Sequence, residues 1–198
     1  MRSALIIAWI VAPLAAGAVH FYGPGQKWKD RDELAGILAK ADALSAAKDY
    51  IPAIEQYDLA LKKAPPDQKD LIRRLRLAKS HAMTYGGLLP QAHEELESLL
   101  EEVSADPKAD SKLVDETRTA LASSQHYMTW LLRLEGFPRT EWEPYVEGAR
   151  QNFKVLAEGA EKRGDAGLAK RMKEDLDSSI RLARLDLSEL QALPLPSQ

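Results

Sequence analysis

Residues 34–65 read LAGILAKADALSAAKDYIPAIEQYDLALKKAP, and the spacing of their apolar side chains decides the fold class. Leu34, Ile37, Leu38, Ala41 and Leu44 recur at three- and four-residue intervals, the period of an amphipathic helix. A turn zone, Ala46-Ala47-Lys48-Asp49-Tyr50, spans residues 46–50. A second helix follows with Pro52 in its first turn, where the missing N–H costs little. That helix presents Ala53, Ile54, Tyr57, Ala60 and Leu61 and ends at Pro65-Pro66. Small residues (Ala41, Ala43, Ala53, Ala60) stand where two helices must approach closely. Ile37, Leu44, Tyr50, Tyr57 and Leu61 fill the space between. Such a hairpin cannot bury its apolar face alone, so it requires similar neighbours.

A second hairpin follows a short polar connection, residues 66–70. Residues 71–102, LIRRLRLAKSHAMTYGGLLPQAHEELESLLEE, repeat the same grammar. Ala78 and Ala82 permit close approach, and Gly86-Gly87 supplies a turn that tolerates positive φ. Leu89, Pro90, Ala92 and Leu96 stand where Tyr50, Pro52, Ala53 and Tyr57 stood, with Leu99 in place of Ala60, a larger side chain that predicts a looser fit. Asp106-Pro107 then breaks the helix. A third, altered hairpin is predicted from a helix over 112–135, a Gly136-Phe137-Pro138 turn, and a helix beginning near Thr140, with Glu143 as the second half of a capping box. Its aromatic cluster of Tyr127, Trp130, Phe137, Trp142 and Tyr145 fits either core filling or a partner surface, since aromatic side chains anchor interfaces. One long final helix is expected over 165–190, with Leu168, Met172, Leu176, Ile180, Ala183, Leu187 and Leu190 on one stripe and a charged outer face, as the end of a stacked array requires.

The first two hairpins resemble the tetratricopeptide repeat. The resemblance rests on the small pair Ala41 and Ala43, the apolar Tyr50 after the turn, the A-x-x-x-Y-x-x-A pattern of Ala53, Tyr57 and Ala60, and the closing Pro65. It departs at Ile37, Leu44 and Lys48, where the family favours an aromatic, a tyrosine and a glycine. The distance from Ala53 to Ala92 exceeds the family period of about 34 residues. The resemblance implies an all-α, short antiparallel helix-hairpin solenoid with two recognisable repeats and a degenerate third. It also implies a concave face, lined by the first helix of each hairpin, that binds peptides. The matching positions are Leu38, Asp42 and Ser45 in the first unit and Arg74, Leu77, His81 and Tyr85 in the second. Leu38 and Asp42 replace the lysine and asparagine by which one branch of the family grips a terminal carboxylate, which argues against that mode.

Residues 3–19, SALIIAWIVAPLAAGAV, carry no charge and follow Met1 and Arg2. Extended to Tyr22 the run approaches the roughly 20 residues that span a bilayer. A basic start, apolar middle and Ala16-Gly17-Ala18 end also describe a cleavable export signal. The border of Phe21, Tyr22 and Trp28 followed by Lys27, Lys29 and Arg31 is that of a membrane interface. Both descriptions place the body outside the cytoplasm, either as a single-pass cell-membrane protein or as a periplasmic or secreted one. The expected organisation is a signal or anchor at 1–22, a linker at 23–32 with Asp30 or Asp32 capping the next helix, a helical domain at 33–191 and an extended tail at 192–198.

The net charge of the chain is −3, which supplies no electrostatic reason for a nucleic-acid partner. There is no cysteine, hence no disulfide, thiolate ligand or thiol nucleophile. His20, His81, His93 and His126 lack the spacing of a helical zinc site, and no glycine-rich phosphate loop is present. Without a converging nucleophile and base, no catalytic, cofactor or metal residue is expected. The expected function is a non-enzymatic protein-binding or scaffold module on the outer side of the cytoplasmic membrane, with a protein or peptide partner and, if the N-terminal segment is uncleaved, membrane attachment through it. The candidate partner-binding residues are Leu38, Asp42, Arg74, His81, Tyr85, Trp130 and Trp142. The alternatives are a structural subunit of a permanent envelope complex, or a small-ligand carrier or enzyme built around a closed pocket.

Overall fold

The computed structural model describes residues 24–192. The hydrophobic segment expected at 1–22 lies outside the described residues, as does the expected tail beyond Ala192. Among the described residues, no helix is long and apolar enough to cross a membrane. The elements are all helices: α1 Pro24–Ala46, α2 Tyr50–Lys63, α3 Lys69–Tyr85, α4 Leu89–Ala105, α5 Ser111–Leu134, α6 Arg139–Lys162, α7 Ala166–Arg184 and α8 Leu187–Ala192.

Each helix from α1 to α6 packs against the one that follows it. Further contacts join α3 to α5, α5 to α7 and α5 to α8. The core follows the chain accordingly. Leu34, Ala41, Ala53, Tyr57, Ala60 and Ala82 form its first segment. Leu77, Leu96, Leu99, Val103, Leu113 and Leu121 form the second. Ala122, Ala149, Phe153, Leu156 and Met172 form the third, and Trp130, Leu182 and Leu190 close the end. Each segment draws on neighbouring helices of the chain. Ala41, Ala53, Ala60, Ala82 and Ala92 are wholly buried, as the close-approach argument requires, whereas Ala43 is exposed. Leu99 is also wholly buried, so the larger side chain is accommodated without a solvent gap.

The turns alternate between two local designs. Within each hairpin the chain passes through one left-handed residue: Lys48 (φ 61°), Gly87 (φ 81°) and Gly136 (φ 78°). After each of these the next amide reaches back five residues, with Asp49 N bonding Leu44 O, Leu88 N bonding Met83 O and Phe137 N bonding Leu132 O, all at 2.9 Å. This is the Schellman closure, which satisfies the last helical carbonyls. Between hairpins the chain instead leaves the helix in extended conformation at Ala64 and Asp106 and passes Pro65-Pro66 or Pro107, which cannot continue it. The α6–α7 connection departs from this alternation and uses a left-handed glycine again, Gly164 (φ 75°).

Three expectations are corrected. The linker at 23–32 is helical from Pro24 onward, because proline suits the first helical position, and Asp30 and Asp32 therefore lie inside α1 rather than capping it. Thr140 is not a cap; α6 begins at Arg139 behind the extended Pro138. The long final helix is two helices. α7 ends at Arg184, and Asp186 opens α8 with a reciprocal cap that the sequence DLSE encodes: Asp186 Oδ1 accepts from Glu189 N at 2.8 Å and Glu189 Oε2 accepts from Asp186 N at 3.0 Å.

Candidate partner-binding face

The periodicity of α3 places Arg74, His81 and Tyr85 on one stripe, and all three are exposed. The guanidinium of Arg74 reaches Asp110 at 2.7 Å and Glu116 at 3.9 Å. Because both carboxylates belong to the start of α5, the stripe lies on the side of α3 that faces α5. The Tyr85 ring sits 5.6 Å from that of Tyr50, tilted by 34°, so it leans on the first hairpin while 42% exposed. On α1, Leu38 is half-buried against the first core segment. Asp42 is exposed and accepts a 2.8 Å hydrogen bond from the hydroxyl of buried Tyr57. Burial, then that bond, pushes the Tyr57 phenol up to about 12, so it remains a donor throughout the ordinary pH range.

Trp130 and Trp142 do not join this face. They are 5% and 8% exposed. Trp130 stacks on Tyr127 at 5.9 Å and contacts Leu182 and Leu190. Two guanidinium groups approach the Trp142 ring, Arg133 at 4.9 Å and Arg139 at 5.9 Å from its centroid. Arg133 also donates to the carbonyls of Leu182 and Leu185, closing the end of α7. Of the aromatic cluster, these two residues therefore belong to packing, while Phe137 at its turn is exposed.

Three polar assemblies were not anticipated. Arg73 is 4% exposed and binds Glu102 at 2.8 Å, Asp106 at 2.9 Å and Asp70 at 3.5 Å, tying the start of α3 to the end of α4. The Arg73 hydrogen bond holds the Glu102 carboxyl below its usual range. The Lys108 amide, then Arg73, does the same for Asp106. Arg76 extends the cluster to Glu95 and Glu102, each at 2.5 Å. Between α5 and α6, Arg118 donates to Asn152 at 3.2 Å and Asn152 to Gln125 at 3.1 Å. Gly148 leaves room for the buried Gln125 amide: a Cβ there would stand 2.6 Å from Gln125 Nε2. Third, buried Thr117, Ser124 and Thr129 return their hydroxyls to carbonyls of their own helix at 2.8 Å, which satisfies them while keeping a narrow profile. The residue types alone carried no signal for the first two assemblies, because their partners lie on other helices.

His126 and His93, unlike the exposed His81, are held in packed settings. Burial lowers the His126 pKa, and its Nδ1 lies 3.0 Å from Ser179 Oγ. Ser179 is fully buried and donates to Asp175 O, so this is an enclosed contact rather than an accessible nucleophile and base. His93 is buried at the edge of the Tyr145 ring, 5.2 Å between centroids, with Nε2 3.4 Å from Glu97. Burial lowers its pKa against the opposing pull of Glu97 and Glu94. Among the described residues, no three histidine, aspartate or glutamate side chains are grouped to hold a metal. A shallow groove between α4 and α5 is lined by Glu94, Glu97, Glu101 and Arg118. Another beside the α6–α7 turn is lined by Glu161, Lys170, Lys173 and Asp177. None of the expected partner-binding residues lines either. No protein-family model matches the chain, and a search of curated proteins finds no similar sequence.

Proposed function

We propose that the chain is a non-enzymatic protein-binding or scaffold module, a short tetratricopeptide-like array held on the outer side of the cytoplasmic membrane by its N-terminal segment. The observation that carries this reading is the exposed stripe Arg74, His81 and Tyr85 on the side of α3 that faces α5, within the layer joined by the α3–α5 and α5–α7 contacts. In the family that the first two hairpins resemble, the first helices of successive hairpins form the peptide-binding face. The alternating turns, left-handed within hairpins and proline-bearing between them, support the same division into units. On this reading Arg74 contributes a cation already oriented by Asp110 and Glu116, Tyr85 contributes a flat amphipathic surface of the kind interfaces favour, and an extended peptide supplies the complementary carbonyls and side chains.

The test is a crosslinked pull-down from solubilised membranes, comparing the full chain with a Tyr85→Ala/Arg74→Glu variant whose helical content is unchanged. A defined protein captured by the first and lost by the second supports the module and its face. Capture unaffected by the substitutions removes that face, and background proteins alone across several detergents and crosslinkers remove the module.

A structural subunit of a permanent complex is the second reading. It is favoured by Ile51, Tyr85 and Phe137, which are 51%, 42% and 45% exposed and all lie beside hairpin turns. Exposed apolar side chains that form a patch mark interaction surfaces. Copurification that withstands high salt and extensive washing distinguishes this reading from transient peptide binding.

A further inference from the structure

Helix α8 is six residues long, too short to be stable in water without packing. Its deep anchor is Leu190, fully buried against Trp130 and Leu182, while Ser188 and Glu189 are exposed. The segment is locally self-sufficient at its start. Asp186 and Glu189 cap one another's backbone amides, and Ser188 Oγ adds a 2.7 Å bond to Asp186.

The end of α7 is equally independent of α8. Arg133, from α5, takes the carbonyls of Leu182 and Leu185, and Leu185 N bonds Arg181 O at 3.1 Å. None of the described hydrogen bonds at the last turn of α7 is made by α8, so lifting α8 away strips none of them. What it uncovers is an apolar seat on Trp130 and Leu182, rimmed by Tyr127, Leu131 and Leu134. Leu185, in extended conformation (φ −56°, ψ 146°), is the joint between α7, whose last carbonyls are taken by Arg133 of α5, and α8, which is closed by its own cap.

We propose that α8 is a releasable cap, which leaves the Trp130–Leu182 seat by rotation about Leu185–Asp186 while α1–α7 stay folded. In the closed state the chain fills this apolar seat with its own Leu190, and any apolar group docking there must displace Leu190 first. Local opening of this kind is expected of an element whose neighbours keep their own hydrogen bonds when it leaves.

The chain contains no cysteine, so one introduced thiol reports opening without background. Leu182→Cys places it in the seat with Leu190 intact. Leu156→Cys places it in the α5–α6–α7 core at a site 1% exposed. The full-length variants are labelled with a small thiol reagent in native buffer and at low urea. Leu182→Cys is expected to react about tenfold faster or more than Leu156→Cys, with little urea dependence, because a local opening exposes little surface. Equal rates with equal urea dependence overturn the proposal, since α8 then leaves only when the array unfolds. Where a variant does not fold, hydrogen exchange of the unsubstituted chain gives the same comparison. Exchange of the Leu190 amide by an opening smaller than that of the α6 core supports the cap, and exchange through the global opening alone overturns it.

Discussion

Lys48 occupies a position where the equivalent turns use glycine, and replacing it isolates a backbone effect. Its φ of 61° matches those of Gly87 and Gly136 in the later hairpins, its side chain is exposed, and its turn is closed by Asp49 N to Leu44 O at 2.9 Å. A Cβ in left-handed conformation costs roughly 1–2 kcal/mol. Lys48→Gly removes that cost but adds the extra unfolded-chain entropy of glycine, roughly 0.5–1 kcal/mol. The expected net result is a stabilisation of about 0.5–1 kcal/mol, or a Tm rise of about 1–4 °C for a chain of this size. Gly87→Ala is the mirror experiment: a Cβ there meets no atom within 4 Å, so only the backbone term acts, and a loss of about 0.5–1 kcal/mol is expected. Lys48→Ala removes the charge and keeps the Cβ, and should leave stability nearly unchanged. Thermal and urea melts of the three variants check this. A gain from Lys48→Ala equal to that from Lys48→Gly would show that charge rather than conformation matters. A Gly87→Ala variant as stable as the parent would refute the left-handed account altogether.

Gly148→Ala should destabilise by about 1–3 kcal/mol in urea melts, because the new methyl displaces the buried Gln125 amide and breaks its bond to Asn152; adding Gln125→Ala should recover part of the loss. Glu102 and Asp106 have depressed folded-state pKa values, so the unfolded chain binds more protons than the folded one and stability falls as pH drops below the unfolded carboxylate range, about 4. Arg73→Met should flatten that fall, measured as the difference in urea midpoint between neutral and acid pH. Arg133→Met should leave the Leu182 and Leu185 carbonyls without their donor and remove the contact with Trp142, costing about 1–3 kcal/mol and changing tryptophan fluorescence.

The helices and their hairpin turns were legible because their causes are local. The three- and four-residue spacing of Leu34, Ile37, Ala41 and Leu44 specifies one apolar face; Gly86-Gly87 and Gly136 specify the turns, and Pro65-Pro66 and Pro107 the connections. The α7–α8 break was equally local, in Asp186 and Glu189, but the uninterrupted apolar stripe through Leu187 and Leu190 masks it, since one helix and two short ones share the same spacing. The candidate face was legible only in part. Arg74, His81 and Tyr85 fall on one side of α3 by periodicity alone.

Whether an aromatic side chain becomes surface or core depends on what is folded over it. Trp130 and Trp142 carry the same local pattern as an interface anchor, and they are covered because α8 returns Leu190 to the end of α5 and Arg133 lies over the Trp142 ring. The same holds for Arg73, whose burial is tolerable because Glu102 and Asp106 arrive from the far end of another helix. Local hydrogen bonding and side-chain period were thus sufficient to specify an all-helical hairpin chain. Assigning its polar residues to core or surface required the packed structure, because burial and charge pairing depend on distances between residues far apart in sequence.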